Sequence, residues 1–194
     1  QAAHAAYCLS LVATADDELR GANQRLWLDR LELEMENFRA AHQWLAARPD
    51  RVEDTLRLAA LLGWFWFVRG HWSEGRQWLD AALAQPGTRD LALRRRALVA
   101  VSILAHYQGD AAATRAYLDE CRASSEAAGD LRALAYAYAL SGLDRQVHEQ
   151  LSEARDLGRR AVALFRQLGD RWGLGYALHF EGMTAFWQGD LAAT

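Results

Sequence analysis

The sequence predicts an all-α protein, a solenoid of stacked helical pairs with about nine or ten helices. The 194 residues contain two prolines and one isoleucine, and they are rich in alanine, leucine, arginine and glutamate, which favour helix. Glycine is followed by aspartate at 109–110, 129–130, 169–170 and 189–190, so the punctuation recurs in steps of twenty or forty residues. Repeat periods in this range are typical of helical solenoids.

Each Gly-Asp pair is expected to end one helix and to begin the next. Glycine accepts the left-handed backbone that closes many helices, and the following aspartate accepts a hydrogen bond from a free N–H of the next helix. Glu149 and Gln150 occupy the slot where the pair is missing, and we expect the same break there. The predicted helices cover about 2–19, 23–47, 52–69, 72–84, 89–108, 111–128, 130–147, 151–168 and 170–188, and another begins near 191.

The predicted organisation has an N-terminal helical pair, residues 1–50, followed by repeats over 51–194. The repeats cover about 51–88, 89–129, 130–169 and 170–194, and the last is incomplete. The chain begins without methionine and ends inside this pattern, so we expect a fragment of a longer cytoplasmic protein. Its longest apolar run, residues 58–68, is about half the ~20 residues that a membrane-spanning helix needs.

Small residues recur at fixed offsets from the predicted helix ends. They lie seven residues before, five residues after and twelve residues after each helix end. For position 70 these residues are Gly63, Gly75 and Ala82; for position 109 they are Ser102, Thr114 and Cys121; and for position 149 they are Gly142, Ala154 and Ala161. Gly182 likewise precedes Gly189 by seven residues. This pattern resembles the tetratricopeptide repeat over residues 52–194, although helices here are longer than in its unit of about 34 residues. The resemblance implies a right-handed superhelical solenoid of antiparallel helix pairs.

Residues 27–44 form a second pattern, Trp27-Leu-x-Arg-Leu-Glu-x-Glu-x-x-Asn-Phe-Arg-Ala-Ala-x-x-Trp44. Its apolar positions are spaced for one buried helical stripe, Trp27, Leu31, Met35, Phe38 and Ala41 or His42. The stretch resembles the segment that opens the helical-repeat region of bacterial STAND-type ATPases. These include LuxR-like large regulators, AfsR-like regulators and "predicted ATPase" proteins with cyclase or kinase domains. The resemblance implies a nucleotide-binding domain before this region and an effector domain elsewhere.

The composition argues against several kinds of chemistry within this chain. It has no lysine, which excludes a Walker A lysine, a kinase-type ATP lysine and Schiff-base catalysis. A net charge of −3 argues against non-specific binding to nucleic acid or anionic membranes. The six histidines form no metal-binding motif and the two cysteines are far apart, so we expect neither a metal nor a cofactor. Glu181 is interpreted as a buried acid paired with Arg155 or Arg159 rather than as a catalytic acid.

The remaining candidate is a ligand-binding groove on the concave side of the solenoid, lined by the first helix of each pair. A mixture of aromatic side chains, arginines and histidines suits a peptide or a moderately apolar ligand. The alternative is packing within the array or against the ATPase domain. The candidate residues are Arg57, Trp64, Phe67, Arg96, Ile103, His106, Tyr107, Tyr136, Gln146, Tyr176, His179, Met183 and Trp187.

The sequence contains two runs of similar residues, and each leads to a separate prediction. The aromatic residues 64–67 cannot share one helix face, so at least one side chain is expected to be exposed or to reach a neighbouring helix. The arginines at 94–96 are interpreted as a solvated helix face rather than as a nucleic-acid site, because Asp90 is near and the chain is acidic.

These observations favour a non-catalytic interaction or sensor module of a larger ATP-dependent signalling protein, which the resemblance identifies as a transcriptional regulator. Its partners would be a protein, a peptide or a small-molecule inducer, together with the nucleotide-binding domain of the parent chain. Alternatives are a stand-alone adaptor that holds a partner peptide, the repeat region of a cyclase- or kinase-linked ATPase, and an α-helical enzyme. The incomplete last repeat also predicts self-association through the C-terminal helix or a loosely ordered C-terminus.

Overall fold

The structure, a computed structural model, describes residues 1–190, and the regular secondary structure of this part of the chain is all helical. The all-α prediction is therefore confirmed for these residues, and the helix predicted from 191 lies outside them. A 3-10 turn, Pro49–Arg51, precedes the fourth of eleven α-helices. Helices α1 to α11 are Ala2–Glu18, Gln24–Leu33, Met35–Ala46, Val52–Leu61, Gly63–Arg69, Trp72–Leu83, Leu91–Tyr107, Ala111–Ala128, Leu131–Val147, Leu151–Leu168 and Arg171–Trp187.

The chain divides into two compact units. The first is Gln1–Leu104, and the second runs from Ala105 to the end of the described residues. This boundary lies inside α7. Within residues 1–190, no helix combines the length and the apolar character needed to cross a membrane.

Two of the predicted helices are interrupted in the structure, which is why it contains more helices than expected. The helix predicted over 23–47 breaks at Glu34, whose carboxylate accepts hydrogen bonds from Tyr7 Oη at 3.2 Å and Asn37 Nδ2 at 2.6 Å. The helix predicted over 52–69 breaks at Leu62. Neither position carries proline, and the one local signal for a break is Gly63, which directly follows Leu62.

In the first unit, α1 packs against α2, α3 and α4, and α4 packs against α6. The apolar stripe predicted across residues 27–41 faces this core. Leu31, Met35, Phe38 and Ala41 are buried, and Trp27 is half-buried. The stripe continues through the break at Glu34, because that break changes the helix only locally.

The aromatic run at residues 64–67 lies on α5 and is divided between two environments. Phe65 and Trp66 are fully buried, whereas Trp64 and Phe67 are half-buried with their ring centres 5.2 Å apart. Trp66 reaches α6, where its ring packs edge-on against Trp78 at 5.2 Å. The expectation that one of these side chains contacts a neighbouring helix is confirmed.

The arginines at 94–96 do not form a solvated helix face, so that prediction is wrong. Arg95 is buried, with 7% of its surface exposed. Arg94 Nη1 donates to the carbonyl of Leu83 at 2.9 Å, and Arg96 forms an ion pair with Asp16 of α1. The reason is that acceptors from α1 and from the end of α6 lie against this part of α7.

A half-buried histidine of α3, His42, has a strongly lowered pKa. The His42 ring stacks on Trp78 with a centroid distance of 3.9 Å. Burial lowers the pKa of His42 from 6.5 to about 4, and the smaller effect of the Glu74 charge acts in the opposite direction. The unfolded chain therefore binds a proton that the folded chain does not bind between these two pH values.

We expect this histidine to make the fold less stable as the pH falls from 6.5 towards 4. His42→Phe retains the stacked ring and removes the titration, so the variant should lose less stability than the wild type across this interval. Urea denaturation at several pH values measures the difference. Equal pH dependence of the two proteins would contradict the assignment, and the exposed His179→Phe serves as the control substitution.

Helix ends in the second unit follow the Gly-Asp pattern. Gly129 and Gly169 close α8 and α10 in the left-handed conformation, with φ of 67° and 64°. Asp110, Asp130 and Asp170 each accept a hydrogen bond from the N–H three residues later, at 3.1, 3.1 and 2.9 Å. The prediction that one dipeptide ends a helix and begins the next is confirmed at these positions.

Positions 149 and 150 have the backbone conformation of a Gly-Asp pair, although their residues are glutamate and glutamine. Glu149 has a φ of 60°, and Gln150 N donates to the carbonyl of Arg145 at 2.9 Å. The Gln150 side chain caps no N–H group of α10. Glutamate pays a steric cost in this conformation that glycine avoids.

Restoring the pair should stabilise the protein. We expect Glu149→Gly to raise the free energy of unfolding by about 0.5–1 kcal/mol and Gln150→Asp to add about 1 kcal/mol through a new cap. Chemical denaturation monitored by circular dichroism measures both changes. Glu120→Gly, in the middle of α8, is the matched control and should destabilise by about 1 kcal/mol. A loss of stability in Glu149→Gly would contradict this explanation.

Small residues lie at close helix contacts, as the offsets predict. A Cβ atom on Gly63 would lie 2.5 Å from Ala100 Cβ, and one on Gly142 would lie 3.2 Å from the carbonyl oxygen of Ala154. Gly182 differs, because nothing among the described residues lies within 4 Å of such an atom. In the second unit α9 packs against α8, α10 and α11. The remaining small residues at these offsets are buried, namely Gly75, Ala82, Ser102, Thr114, Cys121, Ala154 and Ala161.

Candidate functional site

Five of the predicted groove residues lie in the first unit, and they differ in environment. Trp64 and Phe67 contact each other on α5. Arg57 is exposed, with its Nη2 atom 3.4 Å from Asp90 Oδ2, and Arg96 pairs with Asp16. Ile103 is buried, with 8% of its surface exposed. Both arginines therefore already have carboxylate partners.

The other eight candidates lie in the second unit, on the end of α7 and on α9 and α11. Tyr136 and Tyr176 belong to a group of aromatic rings that we call the aromatic cluster. The Tyr136 ring packs edge-on against Phe165 at 4.9 Å and lies 6.4 Å from Trp172. Tyr176 stacks on Trp172 at 5.6 Å and contacts Phe180 at 4.8 Å. The aromatic cluster consists of Tyr136, Phe165, Trp172, Tyr176 and Phe180.

The hydroxyl of Tyr176 is the first unusual polar group of this cluster. Its Oη atom is buried and has no hydrogen-bond partner among residues 1–190. Burial raises the pKa of Tyr176 far above its usual range, and the phenols of Tyr107 and Tyr136 contribute in the same direction. Three phenols from three different helices therefore lie close enough to influence one another.

The side-chain amide of Gln146 is the second unusual group. Gln146 has 2% of its surface exposed, and its Nε2 atom finds no hydrogen-bond partner in the described chain. Buried polar groups are nearly always hydrogen-bonded, and leaving one unpaired costs about 1–3 kcal/mol. Two such groups on predicted groove positions are therefore candidates for contact with a ligand.

His106 lies beside a buried carboxylate. Burial lowers the pKa of His106, Asp144 acts against that shift and His148 adds to it. Asp144 is almost fully buried, and its Oδ2 atom accepts a hydrogen bond from Arg115 Nε at 3.0 Å. His148 Nδ1 lies 3.8 Å from the other oxygen of Asp144. Burial therefore favours the neutral form of His106, which lies near a paired acid.

The remaining candidates occupy α11 and lie nearer to solvent. His179 is exposed and its ring contacts Phe180 at 5.1 Å, while Met183 is half-buried. Trp187 and Phe186 have 51% and 60% of their surfaces exposed. Tyr107, at the end of α7, is also exposed and contacts His106. Large apolar side chains with this exposure are suited to contact another molecule.

The aromatic cluster includes residues that the sequence reasoning did not select. Trp172 and Phe180 lie four residues before and after Tyr176, and this helical spacing was the signal that could have identified them. Glu181 pairs with Arg159, Nε to Oε1 at 3.8 Å, which confirms one of its two expected partners, but it is half-buried rather than buried because 25% of its side-chain surface is exposed. Arg155 instead contacts Asp190 at 2.6 Å. Nowhere in residues 1–190 do three His, Cys, Asp or Glu side chains form a group that could hold a metal ion.

Comparison with known proteins shows a structural similarity. No family model and no curated protein matches the sequence. Among solved structures, the chain is similar to the crystal structure of BtubC (BKLC) from P. vanneervenii, with a TM-score of 0.66 and 16% identity. The match covers 100% of this chain and 85% of that one. At this identity the similarity establishes a shared fold.

Proposed function

We propose that this chain is a non-catalytic recognition module, built as a right-handed superhelical solenoid of antiparallel, tetratricopeptide-like helix pairs. The regular Gly-Asp helix ends and the small residues at close helix contacts support this architecture. The aromatic cluster and the exposed side chains of Tyr107, at the end of α7, and Trp187, at the end of α11, form its binding face. A peptide segment or a moderately apolar small molecule fits the chemistry of this face.

The observation that carries the proposal is the pair of buried, unpartnered polar atoms, Tyr176 Oη and Gln146 Nε2. A fold gains nothing from burying such groups, because each costs desolvation without a compensating bond. A ligand with a carbonyl or another acceptor would supply the missing hydrogen bonds on binding and so offset that cost. The surrounding rings would supply the apolar contact area.

In the parent protein this module would act as the sensor of a bacterial STAND-type ATPase regulator, in the cytoplasm. The resemblance of residues 27–44 supports this role, and so does the lack of lysine, which leaves nucleotide chemistry to another domain. Ligand binding would shift the ATPase between resting and assembled states, provided that the ligand prefers one state. A stand-alone peptide-binding adaptor has the same face and differs only in its genetic context.

Selection of a random peptide library on the immobilised protein tests this function. We expect enrichment of a consensus that binds the wild type and loses at least tenfold in affinity for the double variant Tyr107→Ala/Trp187→Ala. Tyr7→Ala, an exposed tyrosine of the first unit, is the matched control and should retain binding. The small-molecule form of the proposal is tested in parallel with a library of apolar compounds.

Two results would contradict the proposal. The first is the absence of any selected ligand that depends on Tyr107 and Trp187. The second is ATP hydrolysis by the purified chain that disappears on a single substitution, because a recognition module has no catalytic residue to lose.

A further inference from the structure

A polar cavity lies in the second unit, and its lining shares no residue with the aromatic cluster. It has a volume of about 260 Å³ and is bordered by α8, α9 and α10. Its lining contains four arginines, four acidic residues, one serine and two leucines. This size suits a small metabolite rather than a peptide segment or a drug-sized molecule.

Most of the charges in the cavity are already paired. Asp144 accepts a hydrogen bond from Arg115 at 3.0 Å, Arg145 Nε lies 3.2 Å from Glu153, and Arg122 lies 3.1 Å from Asp119. The Asp144 pair is the only one of the three with an almost fully buried member. These three pairs leave the cavity close to neutral and fix the positions of its polar walls.

Two charged residues of the lining remain available. Asp156 makes no hydrogen bond or ion pair within residues 1–190, and Arg160 has a single contact there, over the Tyr138 ring at 5.7 Å. They lie four residues apart on α10, so their side chains are neighbours on one face of the helix. One unused carboxylate and one unused guanidinium therefore stand side by side at the same cavity.

Two other polar residues, Asp144 and Ser141, also line the cavity. Asp144 Oδ1 is buried and accepts no hydrogen bond from the described residues, with only His148 nearby at 3.8 Å. Ser141 lines the same cavity and its hydroxyl is bonded to no other described residue. A buried carboxylate with spare acceptor capacity favours a ligand that brings N–H donors.

We propose that this cavity binds a free α-amino acid with a cationic side chain. The α-carboxylate pairs with Arg160 and the α-ammonium group with Asp156, which matches two opposite charges on one carbon to two opposite charges on one helix face. The cationic side chain extends towards Asp144 and Ser141, past Leu118 and Leu157. A ligand with only an anionic group would leave Asp156 unpaired, and a ligand with only an amino group would leave Arg160 unpaired.

Isothermal titration calorimetry with L-arginine and L-lysine tests this assignment. We expect saturable binding of one or both, with at least tenfold weaker binding of L-glutamate, of L-leucine, and of agmatine, which lacks the carboxylate. Arg160→Gln and Asp156→Asn should each raise the Kd about tenfold, the loss of one charge-assisted hydrogen bond. Arg166→Gln, also exposed on α10 but outside the cavity, should leave the Kd unchanged.

Several outcomes would overturn the proposal. They are no heat of binding with either basic amino acid, equal binding of agmatine and arginine, or a Kd that none of the cavity substitutions changes. Binding of phosphate or succinate that depends on Arg160 but not on Asp156 would assign a simple anion site instead. Because Asp156 and Arg160 are exposed, their variants should fold, and circular dichroism melting curves check this for each protein.

Discussion

Trp66→Ala should cost the protein about 3–5 kcal/mol of stability, the range typical for removing a large aromatic side chain from a core. The Trp66 ring is fully buried in the first unit and packs against Phe65, His71 and Trp78. Its loss leaves a cavity beside Gly75, which has no side chain to fill it. A Cβ atom at position 75 would lie 2.4 Å from Trp66 Cγ, so the two residues are fitted to each other.

Urea denaturation followed by circular dichroism measures this loss. Trp187→Ala is the matched control, because 51% of its surface is exposed and little core packing depends on it. We expect the control to change stability by less than about 1 kcal/mol. Similar losses for the two variants would show that Trp66 does not occupy the core as described.

Gly173→Ala should be destabilising by about 1–3 kcal/mol, whereas Gly175→Ala on the same helix should be stabilising by about 0.5–1 kcal/mol. The two glycines are separated by one residue but have opposite surroundings. A Cβ atom on Gly173 would lie 2.3 Å from Phe165 Cε1, inside the core of the second unit. One on Gly175 would meet nothing within 4 Å among the described residues, and alanine favours helix over glycine there.

The test is whether the two variants change the free energy of unfolding in opposite directions, and this comparison needs no absolute calibration. Phe165→Leu provides a further check, since a smaller side chain opposite Gly173 should reduce the cost of Gly173→Ala. Two variants that change stability in the same direction would contradict the packing of α11 on α10.

Features set by local chemistry were predictable from the sequence. The Gly-Asp helix ends need only a left-handed glycine and an aspartate cap, and these interactions span a few residues. The buried stripe around Phe38 followed from helical spacing alone. The pairing of Glu181 with Arg159 was among two expected alternatives because the helices are consecutive along the chain.

Features set by distant neighbours were not predictable in the same way. The contacts of Glu34, Arg94 and Arg96 are made by residues of α1 and of the end of α6, which the local sequence does not indicate. The sequence selected Tyr176 and Gln146 by repeat offsets, yet it could not indicate that their polar atoms are buried without partners. Whether a polar atom is buried without a hydrogen-bond partner depends on how several helices surround it. The spacing of residues along one helix does not contain that information.

Tyr176→Phe tests the central claim most directly, because recognition and folding predict effects of opposite sign. Removing a buried, unpartnered hydroxyl should raise the free energy of unfolding of the unliganded protein by about 1 kcal/mol. The same change should weaken a ligand selected on the wild type by about tenfold, since the ligand loses its hydrogen-bond partner. A variant that is less stable than the wild type, or that binds the selected ligand unchanged, would contradict the account.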